Sequence, residues 1–238
     1  MGEGAGLARD FLIAETDGGS STLPAELLTI LSPDEEAVVA RVAGSIRDGR
    51  VVALPTETVY GLAARADVPE VLARLAAVKG RADDKPFQRL LARVDDVACF
   101  AAPLGGAARI LAAKFWPGPL TLVVPALVAS GRPEEKEPCE MVGLRVPDHP
   151  VTQAILAAAS VPVAATSANL AGEPPCLTAA EVMARLGGSV AMVVDAPPPP
   201  RGVASTVVEV RGDQWRILRE GLLTRAEIEE ALRTAQPT

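Results

Sequence analysis

Three hydroxyl side chains, Thr56, Thr58 and Tyr60, recur at every second position of Leu54-Pro-Thr-Glu-Thr-Val-Tyr-Gly-Leu62. The apolar run Val51–Leu54 is long enough for a buried strand, and Pro55 ends it. Alternate residues of an extended segment face the same way, so the three hydroxyls could line one wall of a cleft. Gly61 lets the backbone turn away or lie close to a ligand.

Four other places carry candidate chemistry. Lys79-Gly-Arg-Ala-Asp-Asp-Lys-Pro86 sets Lys79, Arg81 and Lys85 in a short irregular stretch. Arginine offers a bidentate fork and lysine a point charge, a set that suits a polyphosphate. The same cations after a helix would also complement its dipole and face water. Gly143-Leu-Arg-Val-Pro147 places Arg145 inside an apolar strand, where a cation needs a partner. That partner is either an internal carboxylate or a substrate carboxylate. Thr166-Ser-Ala-Asn-Leu-Ala-Gly172 offers the Ser167 hydroxyl and the Asn169 amide, in what could equally be an ordinary turn. Ser205-Thr206 opens one predicted strand, and Arg219-Glu-Gly221 closes another.

Other chemistries lack their residues. The chain has no GxxxxGK[ST] loop and no GxSxG elbow. His149 is its only histidine, placed where it packs or caps a helix, so a histidine triad or multi-histidine metal site is not expected. Cys99, Cys139 and Cys176 are far apart and form no CxxC pair. No protein-held metal is expected. The net charge of −7 lacks the basic excess of a nonspecific nucleic-acid binder. What remains is a cleft of hydroxyls, arginine and lysine. It suits reactions driven by positioning and charge neutralisation, with phosphoryl and nucleotidyl transfer the natural class.

The elements that must position these groups alternate without strict regularity. Helices are expected from a Ser32–Glu35 capping box to about Asp48, over Glu70–Val78 with Asp67 as cap, over Leu104–Phe115, from near Asp148, from the Thr178 capping box to about Leu186, and after Thr224. Strands are expected at Val51–Pro55, Gln88–Arg93, Leu120–Pro125, Val142–Val146, Val161–Thr166, Val190–Asp195, Thr206–Val210 and Trp215–Leu218. Two strands with no helix between them imply a mixed sheet in one α/β or α+β domain. With 238 residues, 49% hydrophobic and only 3% aromatic, the core must be built from Ala, Val and Leu. Residues 1–31 read as a flexible, Gly-rich extension ahead of a catalytic domain over 32–235. There is no signal peptide, myristoylation pattern or membrane-length apolar run, so a cytoplasmic location is expected.

Taken in order, these segments resemble the YrdC-like family of L-threonylcarbamoyladenylate synthases. The matching pieces are Pro55–Leu62, Lys79-x-Arg81 with Lys85-Pro86, Pro117-Gly-Pro-Leu-Thr121, Leu144–Pro150, Ser167-Ala-Asn169 with Gly172, Ser205–Val208 and Leu218–Gly221. Each is weak alone, and seven in sequence are specific. The resemblance implies a twisted mixed α/β sheet with flanking helices and a large concave cleft. It implies formation of threonylcarbamoyl-AMP and pyrophosphate from L-threonine, bicarbonate and ATP, with Mg2+ carried on the ATP phosphates. The product serves the modification of adenosine 37 in certain tRNAs through an acceptor transferase. The resemblance assigns Thr56, Thr58, Tyr60, Arg145 and Ser205 to L-threonine. Arg81, Lys85, Ser167, Asn169 and Arg219 fall to ATP, and Lys79 with Arg81 to catalysis. Leu90 stands where some longer members carry a histidine, and the C-terminal domain of those members is not expected here. The other readings are a non-catalytic paralogue, a double-stranded-RNA-binding module, and the related part of hydrogenase-maturation carbamoyltransferases. The last carry paired CxxC motifs that this chain lacks.

Overall fold

The computed structural model describes residues 25–80, 86–127 and 141–235. Arg81 and Lys85, the expected charged loop at 130–140 and most of the expected 1–31 extension lie outside them. Ten strands form one mixed sheet in the order β1-β8-β2-β3-β7-β4-β6-β5-β9-β10. They are β1 (Glu26–Thr29), β2 (Val52–Leu54), β3 (Gly61–Arg65), β4 (Gln88–Leu90), β5 (Leu120–Pro125), β6 (Met141–Arg145), β7 (Val163–Ser167), β8 (Met192–Asp195), β9 (Thr206–Arg211) and β10 (Gln214–Arg219). The helices are α1 (Glu36–Arg47), α2 (Pro69–Val78), α3 (Gly106–Phe115), α4 (Pro150–Ala159), α5 (Ala179–Leu186) and α6 (Arg225–Thr234). This is the mixed sheet with flanking helices that the resemblance implied.

Alternation along the strands explains where each helix lies. Val52, Leu54, Ala63, Val163 and Met192 pack with α1 and α4 in one core. Their strand neighbours Ala53, Leu62, Ala64, Ala164 and Val193 pack with α2 and α5 in another. Leu120, Leu122, Leu144 and Val208 face α3 and α6 in a third. Among the described residues, no helix core covers the opposite faces of β5, β6 and β9. Thr121, Val123, Gly143, Arg145 and Val207 stand there and line a cleft. The period of two therefore puts the apolar side chains under helices and the odd-numbered set of these strands into the cleft.

Several local expectations are corrected. Ser32–Glu35 forms a hydrogen-bonded turn before α1 and not its cap: Glu35 Oε1 accepts from the amides of Leu31 and Ser32. The helix begins at Glu36. Asp67 does not cap α2; it pairs with the neighbouring Arg65, and Val68 takes the cap position without a side-chain bond. Strand β1 falls inside the segment expected to be an extension, where Glu26–Thr29 pairs in parallel with Met192–Asp195. Its four residues are too few for period-two patterning to stand out from a loop. Strand β3 was also not expected; it begins at Gly61 and pairs with both β2 and β7. The Thr178 and Thr224 caps form as expected, each side chain accepting from the amide three residues on.

Candidate functional site

The cleft has a volume of about 970 Å3 and gathers residues from β4, β5, β6, β7, β9 and β10 and from the loops at their ends. Thr56, Thr58, Tyr60, Lys79, Arg145, Ser167, Asn169, Ser205 and Arg219 all line it. Thus every candidate from the sequence that lies among the described residues comes to one place.

The Thr56–Tyr60 segment reaches the cleft by a different geometry from the one expected. It is a tight turn and not an extended wall. Thr56 Oγ1 accepts from the amides of Thr58 and Val59 and donates to Val59 O at 2.7 Å. A threonine hydroxyl bonding to its own next turn competes with strand formation. Because Thr56 gives its proton to Val59 O, Thr58 donates to Thr56 Oγ1 across 2.7 Å. Thr58 Oγ1 then accepts from Arg145 Nη2 at 2.9 Å. Tyr60 is a core residue first, 2% exposed and packed among the α2 and α5 side chains. Burial, with the negative charge of Asp195, pushes its hydroxyl above its ordinary value. It stays a neutral phenol at any working pH.

Arg145 has its partner inside the protein. Its Nη2 donates to Glu57 Oε1 at 2.7 Å, and both side chains are buried, 4% and 8% exposed. Its Nε donates to Gly118 O at 3.3 Å. Gly118 sits in the Trp116–Pro119 stop of α3, where a Cβ would lie 2.4 Å from Phe115 O. Only glycine fits there, so the carbonyl that braces Arg145 depends on it.

Two further networks complete the walls. Lys79 Nζ donates to Ser167 O and Asn169 Oδ1, both at 2.8 Å, and lies within 3.4 Å of Ser167 Oγ. Asn169 Nδ2 donates onward to Leu170 O and Glu173 O, which fixes the loop after β7. Across the cleft, Arg219 Nη2 donates to Ser205 O at 2.9 Å and to Ser205 Oγ at 3.3 Å. Burial, and then the like charge of Arg145, lowers the Arg219 pKa below its ordinary value. Lys79, Arg145 and Arg219 thus all line one cleft. That arrangement favours a polyanion between them.

The sequence reading missed Glu57, Gln88 and Thr121 as site residues. Thr121 Oγ1 donates to Gln88 Oε1 at 2.9 Å and bonds Ser205 Oγ at 2.9 Å. The available signal was a lone hydroxyl within the otherwise apolar run Leu120–Pro125. Glu57 was masked by the hydroxyls on either side of it.

His149 is the N-cap of α4. Its Nδ1 accepts from the Thr152 amide, and its Nε2 is buried with no hydrogen-bond partner among the described residues. Burial lowers its pKa from the ordinary 6.5. An unfolded chain regains that value and binds a proton below pH of about 6.5 where the folded one does not. Stability from this group is therefore complete above that pH and declines as pH falls through it. We expect His149→Asn, whose side chain also caps well, to lose less stability than the native chain between about pH 7.5 and about pH 5.5. Urea unfolding midpoints at the two pH values measure this, and equal losses in both proteins would clear His149 of the effect.

Comparison with known proteins follows the same outline. The family model Sua5_yciO_yrdC, described as telomere recombination, matches residues 44–221. A threonylcarbamoyl-AMP synthase of Bacillus subtilis is 37% identical over 194 residues, covering 82% of this chain and 56% of that protein. One from Vibrio cholerae is 37% identical over 186 residues, covering 74% of this chain and 94% of that protein. The crystal structure of Pyrococcus abyssi Sua5 complexed with L-threonine superposes with a TM-score of 0.78 at 33% identity. It covers 87% of this chain and 60% of that one. The chain thus spans little more than half the length of the Bacillus relative.

Proposed function

Since the chain belongs to the Sua5/YciO/YrdC family, we propose that its cleft forms threonylcarbamoyl-AMP and pyrophosphate from L-threonine, bicarbonate and ATP. The observation that carries this reading is the convergence of Arg145, Lys79 and Arg219 on one cleft with the hydroxyls of Thr58, Ser167 and Ser205. The relatives' names and the threonine complex of the Pyrococcus protein support it.

The chemistry divides along the cleft. The amine of threonine adds to bicarbonate and loses water, giving a carbamate. A carbamate oxygen attacks the α-phosphorus of ATP, the bond to the bridging oxygen breaks, and pyrophosphate leaves. Arg145 receives the threonine carboxylate through the nitrogen that its internal contacts leave over. Thr56 and Tyr60 shape that end, and Ser205 borders it. Lys79, Ser167, Asn169 and Arg219 take the nucleotide end; Arg81 and Lys85, which the resemblance also assigns to ATP, lie outside the described residues. Such a reaction needs alignment and charge neutralisation more than covalent help from the protein. No group of three or more His, Cys, Asp or Glu gathers among the described residues. Mg2+ would enter on the ATP phosphates as part of the substrate.

The product is a mixed anhydride, so a transferase that accepts it, acting on tRNA, is the partner this chemistry calls for. No helix among the described residues is long and apolar enough to cross a membrane. The test is pyrophosphate release from ATP, measured with and without L-threonine and bicarbonate. Release that requires both is the expected result. Release independent of either, or none from folded protein, overturns the reading.

A further inference from the structure

Glu57 lies behind the cleft wall and not on it. Its carboxylate is 6% exposed for the residue as a whole, and each oxygen has one donor. Oε1 accepts from Arg145 Nη2 at 2.7 Å, and Oε2 accepts from the Asp148 amide at 3.1 Å. The second bond ties the Thr56–Val59 turn to the entry of α4. The backbone carbonyl of Glu57 also accepts from the Arg201 amide, which braces the same turn from the other side.

The consequence for Arg145 is specific. A guanidinium has five N–H donors in a planar fork. Both Nη2 hydrogens are used, one by Glu57 Oε1 and one by Thr58 Oγ1, and the Nε hydrogen goes to Gly118 O. Nη1 donates to no described residue, while the side chain lines the cleft. A carboxylate arriving there cannot take the side-on, two-nitrogen fork that a free arginine offers. It must bond end-on, to one hydrogen of Nη1. Glu57 also cancels the charge of Arg145, so hydrogen-bond direction has to carry more of the recognition than net attraction does.

We infer that Glu57 is a positioning residue for substrate recognition: it turns Arg145 into an end-on, single-nitrogen receptor for an amino-acid carboxylate. The inference rests on the proposed function for the identity of that substrate. It concerns a residue to which that reading gives no role.

The test compares the full-length native chain with Glu57→Gln, Arg145→Met and the double variant. L-threonine and its amide, which lacks the carboxylate charge, serve as substrates. Pyrophosphate release gives KM and kcat, and calorimetric titration gives threonine binding without turnover. In Glu57→Gln the threonine KM and Kd should rise about tenfold or more, because the receptor loses its fixed direction. The KM for ATP should stay within about twofold, and the preference for threonine over its amide should shrink by the same factor as the threonine KM rises. On an Arg145→Met background the Glu57→Gln change should add less than about twofold, since its effect passes through Arg145. Equal losses for threonine, its amide and ATP would overturn the inference and leave Glu57 a role in folding alone. Additive effects in the double variant, or tighter threonine binding in Glu57→Gln, would overturn it as well. If Glu57→Gln fails to fold, Glu57→Asp keeps the charge but is one methylene short of bridging Arg145 and Asp148, and the same threonine-selective loss is expected of it. Absence of pyrophosphate release from the native chain would remove the proposed reaction. The calorimetric comparison would still decide the role of Glu57, since threonine binding that is absent or unchanged by Glu57→Gln overturns it.

Discussion

Arg145→Ala should raise the L-threonine concentration needed for half-maximal pyrophosphate release by about a hundredfold or more, with the ATP requirement little changed. The side chain is the cation on the cleft floor that Glu57, Thr58 and Gly118 hold in place. Truncating it removes the donor for the substrate carboxylate. It also strands the Glu57 carboxylate, 8% exposed, without its cation. Breaking a buried pair from one side costs about 3–5 kcal/mol, far more than the pair itself contributes. The same variant should therefore show a lower unfolding midpoint in urea. Two measurements separate the effects: the threonine dependence of turnover at a temperature where the variant is folded, and the midpoint itself. An unchanged threonine requirement in folded Arg145→Ala would remove Arg145 from the binding site. Lysine is no remedy, because a point charge cannot serve Gly118 O, Glu57 and Thr58 together.

Lys79→Ala should reduce pyrophosphate release by about a hundredfold to a thousandfold, with the loss in kcat and in ATP affinity more than in the threonine requirement. Lys79 is 3% exposed, and its ammonium bonds to Ser167 O and Asn169 Oδ1 at 2.8 Å. Those two acceptors are neutral oxygens of the loop after β7. The side chain lines the cleft, and a preorganised cation beside a transferring phosphate stabilises the charge that develops there. The substitution also leaves a buried carbonyl and an amide oxygen short of a donor, at about 1–3 kcal/mol. Single-turnover measurement at saturating threonine reads the catalytic loss, and nucleotide titration reads the binding loss. Retention of near-native turnover would show that the charge on the phosphates comes from elsewhere in the cleft.

Residue type and spacing pointed to the proposed chemistry before the geometry was known. The cations, hydroxyls and amide sit in short polar stretches at the ends of apolar runs, and burial of those runs forces their ends together on a sheet. Strands such as Leu120–Pro125 and Thr206–Arg211 were legible because their β-branched and apolar residues leave no other low-energy arrangement. The Thr224 capping box was legible because its two reciprocal bonds are local. Other features were decided by contacts that period and capping patterns do not reveal. Strand β1 exists because the exposed side of β8 accepts it. Asp67 is drawn from the helix cap by Arg65, which the strand β3 places beside it. The Thr56–Tyr60 segment curls because Thr56 can bond its own turn, a choice that alternation alone does not reveal. Above all, the partner of Arg145 was open between an internal and a substrate carboxylate. Glu57 and Arg145 stand 88 positions apart, and only the packing of β6 against the turn after β2 brings them to 2.7 Å. Residue identity lists which groups can react. Which of them meet, and which donor is left over for a substrate, depends on long-range packing that no local pattern encodes.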